Sequence, residues 1–160
     1  MAQKNDKTNC SPLMVGSIMT SDVVTFGKND SLLLIAKEMA RQRISCVVIK
    51  KGDMPIGIIT ERDIINKVMS RGRDISALIA ADIMSSPVLT IEEDTSHVRA
   101  AEMMEKNKVR RFVVVRKKKL VGIVTQSDVL NGMIQTIKKL NYELVSKAIS
   151  IEKYLGELRQ

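Results

Sequence analysis

The chain has few of the residues on which catalytic, metal and base-stacking sites depend. It contains one histidine, two cysteines, two tyrosines, two phenylalanines and no tryptophan. Cys10 and Cys46 build no disulfide framework, and neither has the spacing of a zinc site. A single histidine, His97, excludes most Ser-His-Asp and Cys-His arrangements, and we expect it at a helix surface. We therefore predict neither an enzyme nor a metal site.

Long apolar runs are also missing. The apolar run at 31–36 is far shorter than the ~20 residues of a membrane helix, and the polar start of the chain has no signal-peptide core. The scarcity of aromatic side chains argues against stacking of unpaired nucleic-acid bases. These absences predict a soluble, cytoplasmic protein that does not bind membranes.

The chain has enough apolar residues for a packed core and carries a surplus of positive charge. Of its 160 residues, 44% are hydrophobic, and 26 Lys and Arg outnumber 18 Asp and Glu, which gives a net charge of +8. A chain of this length buries roughly 70% of its unfolded surface. The basic surplus favours an anionic ligand or partner.

The sequence contains an internal repeat. A shift of 65 residues aligns 17–66 with 82–131 and gives 14 identities in 50 positions. Ile18-Met19 then matches Ile83-Met84, and the densest block aligns 57–63 with 122–128. A duplication is the simplest explanation.

Each copy has the periodicity of a β-α-β-β-α unit. A short strand leads to Ser31 or Ser96 as a helix N-cap, a helix and a hairpin follow, and a second helix begins at Thr60 or Thr125. The predicted strands are 23–26, 44–50 and 55–60 in the first copy, and 88–91, 109–115 and 120–125 in the second. The fold class is therefore α/β in the α+β sense, with two small units that pack together.

The sequence pattern predicts five parts of the chain. They are a flexible tail at 1–12, a first repeat at 13–72, a linker at 73–79, a second repeat at 80–136 and an amphipathic helix at 137–160. The helix has an apolar stripe formed by Ile137, Leu140, Leu144, Ala148, Ile151, Leu155 and Leu158. The stripe either packs on its own module or joins a second chain as a short coiled coil.

The repeated motifs resemble those of the cystathionine β-synthase (CBS) domain. The resemblance rests on the Ile-Met openings and on the segments Gly-Ile-Ile-Thr-Glu-Arg-Asp and Gly-Ile-Val-Thr-Gln-Ser-Asp. The tandem resembles a Bateman module over about 13–136. The resemblance implies two pseudo-symmetric repeats packed sheet to sheet, clefts that bind AMP, ADP, ATP or S-adenosylmethionine, and disc-shaped homodimers.

The Thr-x-x-Asp pairs have two interpretations. Thr60 with Asp63, and Thr125 with Asp128, fit a capping box at the start of a helix. The resemblance implies instead that the Asp binds a ribose diol and the hydroxyl binds ribose or phosphate. Both roles can coexist. Ser127 adds a hydroxyl where the first copy has Arg62.

Basic residues supply candidate phosphate contacts. The resemblance implies that Arg110 and Arg111 stand where nucleotide-binding family members carry basic residues, and arginine suits phosphate oxygens. We expect them to share the tighter cleft with Asp128, and Arg62 to serve the other cleft. Because side chains alternate along a strand, adjacent arginines are not expected to face one cleft together.

Two further features point to the clefts. The resemblance implies that backbone groups contact adenine from two strand edges, which run from Val24 to Phe26 and from Leu89 to Ile91. Gly57 and Gly122 lie within predicted strands, where glycine indicates close approach of either a ligand or the other repeat.

Three functions remain. The favoured one is a regulatory sensor of energy state that binds AMP, ADP or ATP, needs no catalytic cofactor and signals by conformational change to a protein partner; an S-adenosylmethionine sensor is the variant. The second is a structural protein with empty clefts. The third is a nucleic-acid-associated protein, favoured by eight basic residues at 106–119 but lacking a helix-turn-helix or zinc-finger motif.

Overall fold

The structure, a computed structural model, describes residues 13–157. The predicted tail at 1–12 and Leu158 lie outside this range. The helices and strands are, in chain order, α1 (Val15–Ile18), β1 (Thr25–Gly27), α2 (Leu32–Gln42), β2 (Cys46–Lys51), β3 (Met54–Thr60), α3 (Glu61–Lys67), β4 (Thr90–Glu92), α4 (His97–Asn107), β5 (Arg111–Arg116), β6 (Lys119–Thr125) and α5 (Gln126–Glu157). Short 3₁₀ turns at Met69–Arg71, Ile75–Ala77 and Ala80–Asp82 connect the two repeats.

The two repeats form matching three-stranded sheets. The strand order is β1-β2-β3 in one and β4-β5-β6 in the other. In each sheet the first strand runs parallel to the second, and the second and third form an antiparallel hairpin. The sheets meet through β3 and β6. This confirms the predicted α+β class and the two pseudo-symmetric β-α-β-β-α repeats.

The repeats exchange their opening segments. Thr20 and Ile123 exchange two backbone hydrogen bonds of 2.9 Å, and Ser85 and Ile58 exchange bonds of 2.9 and 3.1 Å. The segment before β1 therefore extends the second sheet, and the segment before β4 extends the first. The cores follow this exchange, since Val15 belongs to the core of the second half. Ala80 and Ile83 belong to that of the first half, together with Leu32, Ile35, Met39, Val47, Ile49, Ile59 and Val68.

The exchange explains both strand glycines. A Cβ on Gly57 would lie 2.7 Å from Met84 Sδ, and one on Gly122 would lie 2.5 Å from Met19 Sδ and 2.9 Å from the Thr20 carbonyl oxygen. Of the two predicted causes, close approach of the other repeat is therefore the correct one. Met84 of the second repeat packs against Gly57 of the first, and Met19 of the first repeat packs against Gly122 of the second.

His97 is buried, contrary to the predicted surface position. Its side chain is 2% exposed, and its Nδ1 lies 3.0 Å from the Leu13 carbonyl oxygen. The segment that contains Leu13 crosses from the first repeat and covers the start of α4, which the local sequence around His97 does not indicate.

The helix at the end of the chain is longer than predicted. The second helix of the second repeat and the described part of the predicted helix, 137–157, form one continuous helix, α5. No proline interrupts the sequence between 126 and 157. Among residues 13–157, no helix combines the length and apolar character that a membrane span requires.

Candidate functional site

A cleft of about 1110 Å³ lies between the two repeats. The first repeat contributes residues 45, 58, 60–63 and 65–67, and the second contributes 85, 87–89, 108–111 and 113. Five lining side chains are cationic and two are acidic, so the cleft attracts anions. The cations are Arg62, Lys67, Lys108, Arg110 and Arg111, and the acids are Glu61 and Asp63.

The start of α3 brings Thr60 and Asp63 into this cleft. The Asp63 backbone N–H donates to Thr60 Oγ1 at 3.2 Å. The Thr60 backbone N–H and hydroxyl donate to Asp63 Oδ2 at 2.9 and 2.6 Å. The capping-box interpretation is therefore correct for this pair.

The second oxygen of Asp63 is also bonded. Lys67 Nζ lies 2.7 Å from Asp63 Oδ1, and the Ser85 hydroxyl donates to the same oxygen at 3.3 Å. The four acceptor positions of the carboxylate are then all in use. A ribose diol must displace a present donor, and the Ser85 hydroxyl makes the longest of these bonds.

Burial and hydrogen bonding act in opposite directions on Asp63. Partial burial raises the pKa of its carboxyl, but hydrogen bonds from Lys67 and Thr60 and the charge of Lys67 outweigh this, so its pKa lies below the ordinary value. Asp63 is therefore an anion at neutral pH and serves as an acceptor.

Three arginines converge in the same cleft. Arg62, Arg110 and Arg111 all line it, and Arg111 Nη1 donates to Ser45 Oγ at 3.2 Å. The predicted grouping of Arg110 and Arg111 with Asp128 is therefore wrong, because the pseudo-symmetry places the start of β5 opposite the start of α3. The predicted conflict between adjacent arginines does not arise, since Arg110 precedes β5 and strand alternation does not govern it.

Asp128 has the same cap but other surroundings. Thr125 donates to Asp128 Oδ2 through its backbone N–H at 2.8 Å and its hydroxyl at 2.7 Å. Neither residue lines the arginine-rich cleft, and neither does Ser127. At the 65-residue offset, Gly132 stands where the first repeat has Lys67. The side of the module near Asp128 thus lacks the lysine that holds Asp63.

Of the residues predicted to contact adenine from the strand edges, some lie in the cleft and others in the cores. Leu89 lines the cleft, and its carbonyl accepts a hydrogen bond from the Val113 backbone N–H at 3.1 Å. The Val24 carbonyl accepts an equivalent bond of 3.1 Å from Val48. Phe26 and Val24 pack against the first core, and Ile91 is buried in the second. Val24, Phe26 and Ile91 therefore do not line this cleft.

Sequence reasoning missed Lys67, Ser85 and Lys108 as site residues. The signal for Lys67 was its position four residues after Asp63 on a helix, where opposite charges meet. Ser85 directly follows the repeated Ile-Met opening, where the first copy has Thr20. Its contact with Asp63 depends on the segment exchange, which has no side-chain signature.

The basic hairpin between β5 and β6 is partly neutralised. Arg116 pairs with Glu93, and Lys119 Nζ lies 2.9 Å from Asp53 Oδ2 in the hairpin of the other repeat. Lys117 and Lys118 are exposed at the turn. The hairpin thus joins the two repeats as well as carrying charge.

The chain belongs to the CBS domain family. The family model matches residues 15–70 and 80–134, which make up more than half of the chain. The chain therefore contains a tandem pair of CBS domains. Two matches within one chain agree with the repeat and with the two matching sheets.

Two curated relatives are similar to this chain over most of its length. An uncharacterized protein of Methanopyrus kandleri is 42% identical over 118 residues, which cover 72% of this chain and 60% of that protein. The chain thus spans about three fifths of the length of this curated relative. The hypoxic response protein 1 of Mycobacterium tuberculosis is 29% identical over 129 residues, which cover 77% of this chain and 90% of that protein.

A solved structure with bound ligands has the same fold. The CBS domain pair of protein MJ0100, in complex with 5′-methylthioadenosine and S-adenosyl-L-methionine, superposes with a TM-score of 0.67 at 27% identity. The match covers 76% of this chain and 95% of that chain. The hexameric CBS-CP12 protein of bloom-forming cyanobacteria gives a TM-score of 0.69 at 28% identity, and the match covers 74% of this chain and 67% of that chain.

Proposed function

We propose that the cleft between the repeats binds an adenosine ligand that carries phosphate, namely AMP, ADP or ATP. The observation that carries this proposal is the convergence of Arg62, Arg110 and Arg111 beside Thr60 and Asp63. Arginine binds phosphate oxygens through two parallel hydrogen bonds, and such charged bonds are stronger than neutral ones. In this arrangement the three arginines bind the phosphates, and the side chains of Ser85 and Asp63 contact the ribose.

The similar structure of the MJ0100 CBS domain pair supports the adenosine part of the proposal, because both ligands in that complex contain adenosine. The charge of this cleft favours phosphate over a sulfonium group. S-adenosylmethionine carries a positive sulfur, which five lining cations repel. S-adenosylmethionine or methylthioadenosine is the second candidate, favoured by that neighbour alone.

The proposed role is regulatory and not catalytic. A ligand that touches Arg62 of the first repeat and Arg110 of the second favours the arrangement of the repeats that brings both arginines to it. A protein partner that prefers this arrangement then reads the ligand. We also propose that the module acts as a homodimer, and the hexameric CBS-CP12 neighbour supports self-association.

Titration calorimetry tests this function with AMP, ADP, ATP, methylthioadenosine and S-adenosylmethionine. We expect the phosphate-containing ligands to bind. Arg110→Gln should lower the affinity for ATP by about tenfold, which corresponds to ~1.4 kcal/mol of binding free energy. The control is Arg99→Gln, which removes the same charge from α4, where Arg99 pairs with Glu102 away from the cleft. Equal affinity for methylthioadenosine and ATP, or equal effects of the two variants, contradicts the phosphate assignment.

A further inference from the structure

The second half of α5 leaves apolar side chains uncovered. Val129 and Met133 pack against the second core, but among the described side chains none from 137 onward belongs to either core. Ile137, Leu144 and Ile151 are 56%, 62% and 59% exposed. The stretch from 137 to 157 is about 30 Å long at ~1.5 Å per residue, so a long apolar surface lacks a partner among residues 13–157.

Some of the uncovered residues follow a seven-residue repeat. Leu130, Ile137, Leu144 and Ile151 are spaced by seven and occupy the d position of a heptad. Four residues after the first three of them come Ile134, Asn141 and Ala148, at position a. This a/d pattern is typical of a coiled coil. A single asparagine at an a position specifies a parallel pair of helices in one register.

The e and g positions that flank this stripe carry side chains that are complementary to those of a second, identical helix. Lys147 occupies position g and Glu152 the following e position. In a parallel pair, a g residue of one helix faces the e residue five positions later in the other, so Lys147 meets Glu152 of a second copy, and does so twice by symmetry. Leu140 and Val145 occupy the preceding g and e positions and form an apolar pair in the same way.

We propose that the second half of α5 pairs with the same segment of a second copy as a parallel two-stranded coiled coil. Asn141 then faces its own equivalent and exchanges a hydrogen bond within the apolar seam. The inference deepens the homodimer proposed above and names its interface. It is independent of the ligand.

Sedimentation equilibrium of the full chain tests the seam with a matched pair of variants. Leu144 and Ile149 are equally exposed at 62%, but Ile149 occupies position b, outside the seam. We expect Leu144→Lys to raise the dimer dissociation constant by about 100-fold and Ile149→Lys to change it by less than about threefold. Equal effects of the two variants overturn the coiled coil.

A charge exchange tests the parallel register. Lys147→Glu and Glu152→Lys should each weaken the dimer, because each brings like charges together, and the double variant should restore it. Failure of the double variant to recover overturns the parallel arrangement. A wild-type dimer that Leu144→Lys leaves intact overturns the seam but leaves the homodimer, whereas a monomeric wild type overturns both.

Discussion

Lys67 Nζ contacts Asp63 Oδ1 at 2.7 Å and donates a further hydrogen bond of 2.7 Å to the Ile83 carbonyl oxygen. The lysine therefore connects the helix start that faces the cleft to the opening segment of the other repeat. Gly132 occupies the equivalent position in the second repeat. The two Thr-x-x-Asp boxes thus have the same local bonds but different attachment to the rest of the module.

This difference predicts unequal costs for the same substitution. Asp63→Ala and Asp128→Ala each remove a capping box, which costs about 1 kcal/mol of unfolding free energy. Asp63→Ala also leaves the partly buried Lys67 ammonium without its carboxylate. Urea unfolding should therefore show a larger loss for Asp63→Ala. Equal losses would mean that the lysine contact adds nothing.

The lowered pKa of Asp63 predicts a pH dependence. Because the folded pKa lies below the unfolded value of about 3.9, the Asp63 carboxylate stabilises the fold at neutral pH, and this contribution disappears as the pH falls through the folded pKa. The difference in unfolding free energy between wild type and Asp63→Asn should be large at pH 7 and shrink in acid. A difference that does not change with pH would contradict the assignment.

The strand glycines predict a second asymmetry. Alanine at Gly122 meets the Thr20 carbonyl oxygen, which is backbone and cannot move aside, so we expect a loss of about 1–3 kcal/mol. The three atoms nearest to an alanine Cβ at Gly57 all belong to the Met84 side chain, whose thioether can turn away. Urea unfolding of the two variants measures this. A Gly57→Ala loss as large as that of Gly122→Ala would show that the methionine has no room.

The turn between β5 and β6 offers a stabilising change. Lys117 and Lys118 have φ of 51° and 67°, where residues with a Cβ are strained, and the first repeat has Gly52 at the equivalent of Lys117. Asn-Gly at 117 and 118 suits a two-residue hairpin turn and should add about 1 kcal/mol. Thermal unfolding checks this against Gln-Gln, which removes the same two charges. Equal melting temperatures would assign any gain to charge alone.

The sequence predicted the elements better than their contacts between repeats. The 65-residue offset and the β-branched residues of the predicted strands at 55–60 and 120–125 suffice for the order of helices and strands. The exchange of opening segments depends on backbone hydrogen bonds such as Thr20 with Ile123, which no side-chain pattern indicates. For this reason the sequence pattern alone groups Arg110 and Arg111 with Asp128.

The strand glycines show the same limit. They indicate that something approaches the backbone closely, but not what it is. The structure shows that Met84 and Met19 approach them, each from the opposite repeat. The contact of Ser85 with Asp63 and the burial of His97 depend on the same exchange. Local periodicity therefore predicts each repeat, whereas the cleft is built from residues of both.

The most direct test is a calorimetric titration of ATP into wild type, Arg62→Gln and Arg111→Gln. If arginines from both repeats hold one ligand, the wild type shows a binding event that both variants weaken, each by about tenfold. Two separate events, with each variant removing a different one, would contradict the shared cleft, and the absence of any event would contradict nucleotide binding itself.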